Sequence, residues 1–363
     1  MRDTPLARSL KDIIRRDGAM SIATYMSHCH WDPEHGYYAT KTIIGRDGDF
    51  ITASEISQTF GELLGLWSAV VWQQVLAAPS AVTLVEYGPG RGTLMRDALR
   101  ATRVVPGFQA ATRVHLVEMS QTFREAQTAL LANAGVPITW GQSLAGFQAP
   151  AIIIANEFLD SWPASQWIKT PDGWGERAIG LDASGELTFT ILDGVTQNSN
   201  IDRDYPDAQP GAIVEMLDYA RFARALRAIA NKGPIAALII DYGHTLGTSG
   251  DTLQALRGHA YEPPLASPGE ADLTTHVNFF ALATALHSVG LALDGPVTQT
   301  EFLGSLGIIE RASRLMAANP ARSGEIEAGV ARLLAPNGMG TRFKVLGVRS
   351  AELPALPGFF AAT

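Results

Sequence analysis

The sequence predicts a doubly wound α/β fold, and three observations carry that expectation. Between residues 82 and 160 four apolar runs, "VTLVEYG", "TRVHLVEMS", "PITWG" and "PAIIIANEFLD", alternate with helical patterns. Strands that alternate with helices form parallel sheets, and runs apolar on both faces belong at the sheet centre. The stretch "VEYGPGRGTL", residues 85–94, then sets three glycines directly after the first run. Such sheets bind ligands at turns that follow strands.

The elements follow in order. Residues 5–29 have helical spacing, with Leu6, Leu10, Ile13, Ile14, Ile22, Tyr25 and Met26 on a repeating face. A turn-rich stretch, "WDPEHGYYATKTIIGRDGDFITASEIS", comes next. Ser57 or Thr59 opens a buried helix, "QTFGELLGLWSAVVWQQVL". The four strands follow, with helices "TLMRDALRAT" and "QTFREAQTALLANAG" between them. Residues 164–195 read as two or three antiparallel strands, because Pro-Asp-Gly and Ala-Ser-Gly mark hairpins. Residues 196–211 read as a surface loop and "IVEMLDYARFARALRAIANKG" as a helix that stops at Gly233. "PIAALIIDYGH" is a fifth strand, and residues 245–275 a long loop. Helix "HVNFFALATALHSVG", a short strand "LALDG", two helices through 299–335 and a final strand "TRFKVLGVRS" complete the chain.

Length and composition bound the function. The 363 residues suit one large domain with insertions, or two domains. Here the expected division is a helical N-terminal extension or lid over 1–80 and a core over 81–363. The core carries insertions at about 164–211 and 245–275 and helices at about 299–335. A net charge of −8 without a basic block argues against nucleic-acid binding. Cys29 is the single cysteine, which excludes an intrachain disulfide and a cysteine zinc cluster. The eight histidines lack metal-ligand spacing, so no metal is expected. No apolar run approaches a membrane span, and the first residues read as a helix rather than a signal peptide. A bacterial cytoplasm is the expected compartment, or the mitochondrial matrix if the source is eukaryotic.

The glycine spacing narrows the ligand. Gly88, Gly90 and Gly92 are spaced G-x-G-x-G, whereas a dinucleotide turn needs G-x-G-x-x-G, and position 93 is Thr93. A P-loop needs Gly-Lys-Ser/Thr, and the lysine is missing. S-adenosylmethionine needs close backbone approach and acids instead. Glu86 at the end of the first strand can hold its ammonium group or organise the turn. Glu118 at the end of the second can take the ribose hydroxyls, as the ribose acid does in dinucleotide folds. Further polar residues follow the fourth and fifth strands: Asn156, Glu157, Asp160, Asp241 and His244. "GDFITASEISQTF" offers Ser54 and Glu55 as a lid, and "PGEADLTTHVNFF" offers Asp272, His276 and Asn278 beside a helix.

These motifs, with "HLVEMS", "NEFLDSWPASQW", "IIDYGH" and the C-terminal "FKVLGV", resemble the MidA-like (DUF185) family over roughly residues 9–347. The resemblance implies a class I S-adenosylmethionine methyltransferase: a Rossmann-like mixed sheet with a helical N-terminal extension and β-hairpin and helical insertions. It implies a cofactor site of Glu86, Gly88, Gly90, Gly92, Glu118 and the strand-four end at Asn156 and Glu157, with Thr93 beside the turn. Mitochondrial members methylate an arginine of a complex I subunit, so the expected partner is a protein. For that chemistry Glu157 and Asp160 are the candidate catalytic carboxylates, with Asp241 in reserve. Ser54, Glu55, His276 and Asn278 are assigned to the substrate or lid side. Asn278 stands where the family has aspartate. A scaffold that binds S-adenosylmethionine without turnover and a small-molecule methyltransferase are the alternatives.

Overall fold

The computed structural model describes residues 2–40, 52–192, 199–247 and 250–359. Its central sheet contains β1 (Val82–Tyr87), β2 (Thr112–Val117), β3 (Ile138–Gly141), β4 (Ala151–Asn156), β5 (Ile235–His244), β6 (Leu291–Thr298) and β7 (Phe343–Ser350). The spatial order is β6-β7-β5-β4-β1-β2-β3. β1 to β5 run parallel, and β7 is antiparallel to both β5 and β6. This is the mixed α/β sheet expected for a class I methyltransferase. The chain winds first to one side of β1, then to the other. The crevice beyond the carboxyl ends of β1 and β4 therefore lies at the switch point, where α/β sheets bind ligands.

Strand periodicity distributes the core. Val85, Ile153 and Ile239 face one hydrophobic cluster, while Leu84, Ile152, Ile154 and Leu238 face the other. Both faces are covered, so the strands need apolar residues at every position, and all six of β4 are buried.

Several elements differ from their sequence reading. The N-terminal helical pattern divides at Gly18 into Pro5–Asp17 and Ile22–Trp31. Between them Met20–Ser21 pairs with Ala178 and Ile179 of the strand Gly173–Leu181. That strand lies in a second sheet with Ser165–Thr170, Leu187–Ile191 and Ile213–Met216. The last of these was expected to begin a helix. Val214 instead buries against Trp174 and Ile201, and the helix starts at Tyr219 because Asp218 caps it. Part of the expected 196–211 loop is helical, Ser199–Asp204. The expected 245–275 loop contains a three-stranded sheet of Gln254–Arg257, Ala260–Glu262 and Asp272–Thr274. Three α-helices, not two, occupy Gln299–Ser305, Ile308–Ala318 and Ser323–Leu334. Residues 41–51 of the turn-rich stretch, 193–198 at the end of the expected hairpins and start of the expected loop, and 248–249 lie outside the described residues.

Helix Gln58–Val70 carries the segment before it onto the site. It packs on helix Thr93–Ala101 with the backbones almost touching. A Cβ at Gly65 would stand 2.5 Å from Ala98 Cα, and one at Gly61 2.9 Å from Asp97 Cβ. The buried Glu62 between them pairs with Arg100 at 3.0 Å and Arg311 at 2.8 Å. Gly65→Val should therefore force the helices apart and destabilise the protein by about 3 kcal/mol, as overpacking does. Gly304→Ala, whose Cβ meets open space, should have the opposite sign, a gain of up to about 1 kcal/mol from helix propensity. Urea titration of both variants checks this, and equal effects would contradict the close-packing argument.

Candidate functional site

The glycine turn leaves β1 at Tyr87. Gly88, Gly90 and Gly92 all have positive φ, at 61°, 51° and 84°. This left-handed region favours glycine. A Cβ at Gly88 would come within 2.9 Å of the Phe158 ring. Gly88, Gly90 and Thr93 line a cavity of about 410 Å³. Gly92 instead caps helix Thr93–Ala101 and packs on Gln127, whose amide donates to Gly90 O at 2.6 Å.

Two buried acids flank the turn. Glu86 is 3 % exposed, and its Oε2 has no hydrogen-bond partner among the described residues. Burial, with the nearby Glu118 charge, pushes its carboxyl up to about 8. Glu118 ends just beyond β2. Its Oε1 accepts from Ser120 N at 2.8 Å and its Oε2 from Gln127 Nε2 at 3.3 Å. Burial raises Glu118 to about 7, against the pull of those hydrogen bonds. Met119, Gln142 and Leu144, which sequence reasoning missed, continue the lining past β2 and β3. Short polar or apolar residues after strands carry too little pattern to be found without the sheet order.

Beyond β4 the chain reverses sharply. Glu157 has φ 49°, a left-handed conformation that costs a non-glycine residue about 1 kcal/mol or more. Two features hold it there. Glu157 N donates to Ile240 O at 2.9 Å, and Asp241 Oδ2 accepts from the backbone N–H groups of Phe158, Leu159 and Asp160 at 3.2, 3.0 and 3.2 Å. Asp241 is fully buried and does not line the cavity. Its expected place beside the substrate is therefore corrected: its carboxylate is turned into the chain reversal, away from the cavity. Burial, reinforced by Asp160 and Glu157, raises its pKa well above the usual range.

Asn156, Glu157 and Asp160 do line the cavity. Glu157 Oε1 accepts from Ala53 N at 2.9 Å and Asn156 Nδ2 at 3.1 Å. Its Oε2 and Asn156 Oδ1 are buried without partners among the described residues. Burial pushes Glu157 up to about 7. Asp160 is also raised, by burial first and by Glu157, while a hydrogen bond from Tyr242 opposes the shift.

The short helix Ala53–Ile56 closes over both strand ends. Glu55 Oε1 accepts from Thr93 Oγ1 at 2.6 Å, beside the glycine turn, while Ala53 N reaches Glu157. Ser54 hydrogen-bonds Thr52 at 2.9 Å and lines the same cavity with Glu55. Trp31, Tyr38 and Asp272 complete the far wall. Tyr38 and Asp272 meet from 234 residues apart, which no local pattern announces.

His276 and Asn278 lie elsewhere. With His244, Thr252 and Glu215 they border a separate cavity of about 200 Å³. His276 stands edge-on to Tyr242, with ring centroids 5.4 Å apart, and neither His276 nor Asn278 lines the larger cavity. Asn278 Oδ1 caps helix Phe279–Ser288 by accepting from Ala281 N at 3.0 Å, a task that aspartate performs equally well.

The larger cavity therefore combines a glycine cradle that admits close backbone approach with buried acceptor oxygens lacking donors. A ligand with a cationic amino end and hydroxyl donors satisfies both features. This fits S-adenosylmethionine. Among the described residues no group of three or more histidine, cysteine or acidic side chains is arranged to hold a metal. No helix of the described residues is long and apolar enough to cross a membrane.

Comparisons with known proteins agree with this chemistry. A family profile described as "Putative S-adenosyl-L-methionine-dependent methyltransferase" matches residues 63–297. The mitochondrial protein arginine methyltransferase NDUFAF7 of Mus musculus is 36 % identical, over 94 % of this chain and 83 % of that protein. Its counterpart in Homo sapiens is 34 % identical, over 94 % and 82 %. A COG1565 superfamily structure from Burkholderia thailandensis, solved with S-adenosyl-homocysteine bound, superposes with a TM-score of 0.85 at 25 % identity, covering 98 % of this chain and 94 % of that one. The chain thus uses S-adenosylmethionine and belongs to the MidA-like family of S-adenosyl-L-methionine-dependent methyltransferases.

Proposed function

We propose that this methyltransferase acts on an arginine side chain of a protein. The observation that carries the reading is the pairing of Glu157 and Asp160 in the cavity that also holds the glycine cradle. The mammalian relatives named as protein arginine methyltransferases support it. A complex I subunit is the target that the family resemblance suggests, and the mitochondrial names of these relatives suggest the matrix if the source is eukaryotic. A bacterial source would suggest the cytoplasm.

In this reading Glu86 faces the amino end of the cofactor, Gly88 and Gly90 admit it, and Glu118 takes the ribose hydroxyls. Thr93 holds the lid through Glu55, Gly92 shapes the turn, and Met119, Gln142 and Leu144 form the base slot. The described part of residues 1–80 acts as an extension that brings the lid over this half. Bound S-adenosylmethionine supplies an electrophilic methyl group on a sulfonium.

The chain's own acids prepare the acceptor. A guanidinium has a pKa above about 12 and stays protonated in water. Glu157 Oε2 and the Asp160 carboxylate can accept its N–H groups as a fork, which localises charge and aims one nitrogen. When the new N–C bond forms and the C–S bond breaks, the nitrogen sheds a proton. Glu157, raised to about 7, can accept it near neutral pH. Asp241 contributes by holding the reversal that aims both acids.

Three expectations follow from these assignments. Incubating the protein with labelled S-adenosylmethionine and lysate from cells lacking it should mark protein bands, with the label in methylated arginine. Label confined to the low-mass fraction would instead indicate a small acceptor, and no label a binding scaffold.

Glu157→Gln should cut transfer at least about a hundredfold, the usual scale for a lost general base, while S-adenosyl-homocysteine affinity changes little. Calorimetry that found cofactor binding lost would move Glu157 to the cofactor side.

The third expectation concerns pH. Glu86 is protonated in the free protein below about 8, and a cationic ligand favours its carboxylate. Cofactor affinity should therefore rise with pH from 6 to 8, by at most about tenfold per unit, and level off above. The same raised pKa has the opposite effect on the free fold. Its stabilising share is complete below the unfolded value near 4.5 and is lost as pH rises through about 8. Glu86→Gln should flatten the affinity profile, and an unchanged profile in that variant would remove Glu86 from the assignment.

A further inference from the structure

The acceptor side of the cavity has a wall that the strand ends do not supply. Trp31 closes helix Ile22–Trp31, and Tyr38 sits in the short helix Tyr37–Thr40. Both border the cavity together with Asp272. The Trp31 and Tyr38 rings lie 5.3 Å apart at 35°. Tyr37 stands edge-on to Tyr38 at 5.1 Å, and His30 packs against it at 5.1 Å. A ring wedged by three others keeps one orientation. Its hydroxyl donates to Asp272 Oδ1 at 2.6 Å, which fixes the remaining freedom.

The acids around this wall share one space. Asp272 and Asp160 both act electrostatically on Tyr38, and Asp272 acts on Glu157. Burial and these acids keep the Tyr38 phenol neutral, so it donates a hydrogen bond and adds no charge of its own. Ring faces next to carboxylates attract cations. They do not attract all cations equally. A guanidinium is planar, weakly hydrated and stacks on aromatic rings, whereas an ammonium is compact and strongly hydrated.

We infer that Tyr38, braced by Trp31 and held by Asp272, is the specificity-determining wall of the acceptor site and selects a guanidinium over an ammonium. This rests on the arginine reading above and assigns its selectivity to the N-terminal segment. The guanidinium plane lies along the Tyr38 and Trp31 rings, and its N–H groups turn toward Glu157 and Asp160. Asp272 acts through Tyr38 and is a positioning residue.

The test uses the full chain saturated with S-adenosyl-homocysteine, titrated with N-acetyl-arginine amide and with N-acetyl-lysine amide by ligand-observed NMR. The arginine probe should bind about tenfold more tightly, the scale of a desolvated cation–ring contact. Tyr38→Leu should erase that preference, and Tyr38→Phe and Asp272→Ala, which both remove the hydroxyl–carboxylate hold and keep the ring, should each reduce it to a similar, smaller extent. S-adenosyl-homocysteine affinity on the same samples should stay within about twofold, which reports an intact fold and cofactor side. Equal binding of the two probes to the unaltered protein overturns the inference, as does a preference that survives Tyr38→Leu. Loss of S-adenosyl-homocysteine binding in Tyr38→Leu also overturns it, because the ring would then serve the cofactor. The two proposals fail separately. Protein arginine labelled in lysate without a probe preference removes this wall alone. A probe preference without labelled arginine removes the proposed reaction and leaves the wall.

Discussion

One buried carboxylate organises the site. Asp241 Oδ2 gathers three consecutive backbone N–H groups from the turn after β4, in a place that water does not reach. Those donors would otherwise be unpaired in the core, at a cost of about 1–3 kcal/mol each. The arrangement also sustains the left-handed Glu157, since the reversal has nowhere else to place its amides. Asn156, Glu157 and Asp160 face the cavity because the chain turns at that point. A residue behind the wall thus determines where the acids in front of it stand.

The second constraint is electrostatic. Glu86, Glu118, Glu157 and Asp160 crowd one cavity, and burial raises every one of them. Acids in a low-dielectric space repel one another and hold protons until cations arrive. The methyl donor is a cation, and its charge beside these acids favours their carboxylate forms. The short helix Ala53–Ile56 meets the same acids: Ala53 N donates to Glu157, and Glu55 accepts from Thr93 at the glycine turn. A single short helix therefore touches both halves of the cavity.

Much of the fold was legible because its signals are local. β4 and β5 are buried on both faces, so their apolar runs are unbroken, and their polar ends stand out. The glycine turn was equally plain, since its positive φ values leave few alternatives to glycine. The misread elements had weaker local codes. Ile213–Met216 is a strand because Trp167 and Trp174 of distant strands give it a partner and a pocket. The 245–275 segment forms strands through pairings of Leu256 with Asp272 and Tyr261, which its Gly- and Pro-bearing sequence obscured.

The sequence alone determined the sheet, the glycine cradle, and the acids at the ends of β1, β2 and β4. These depend on strand period and on backbone sterics within a few residues, and both are written locally. Tertiary structure decided which polar groups at the strand ends line the larger cavity. It turned Asp241 inward and sent His276 and Asn278 to a separate cavity. It also brought Tyr38 to Asp272 across 234 residues. Those outcomes depend on side-chain direction and on contacts between segments far apart in the chain, and neither is encoded in spacing.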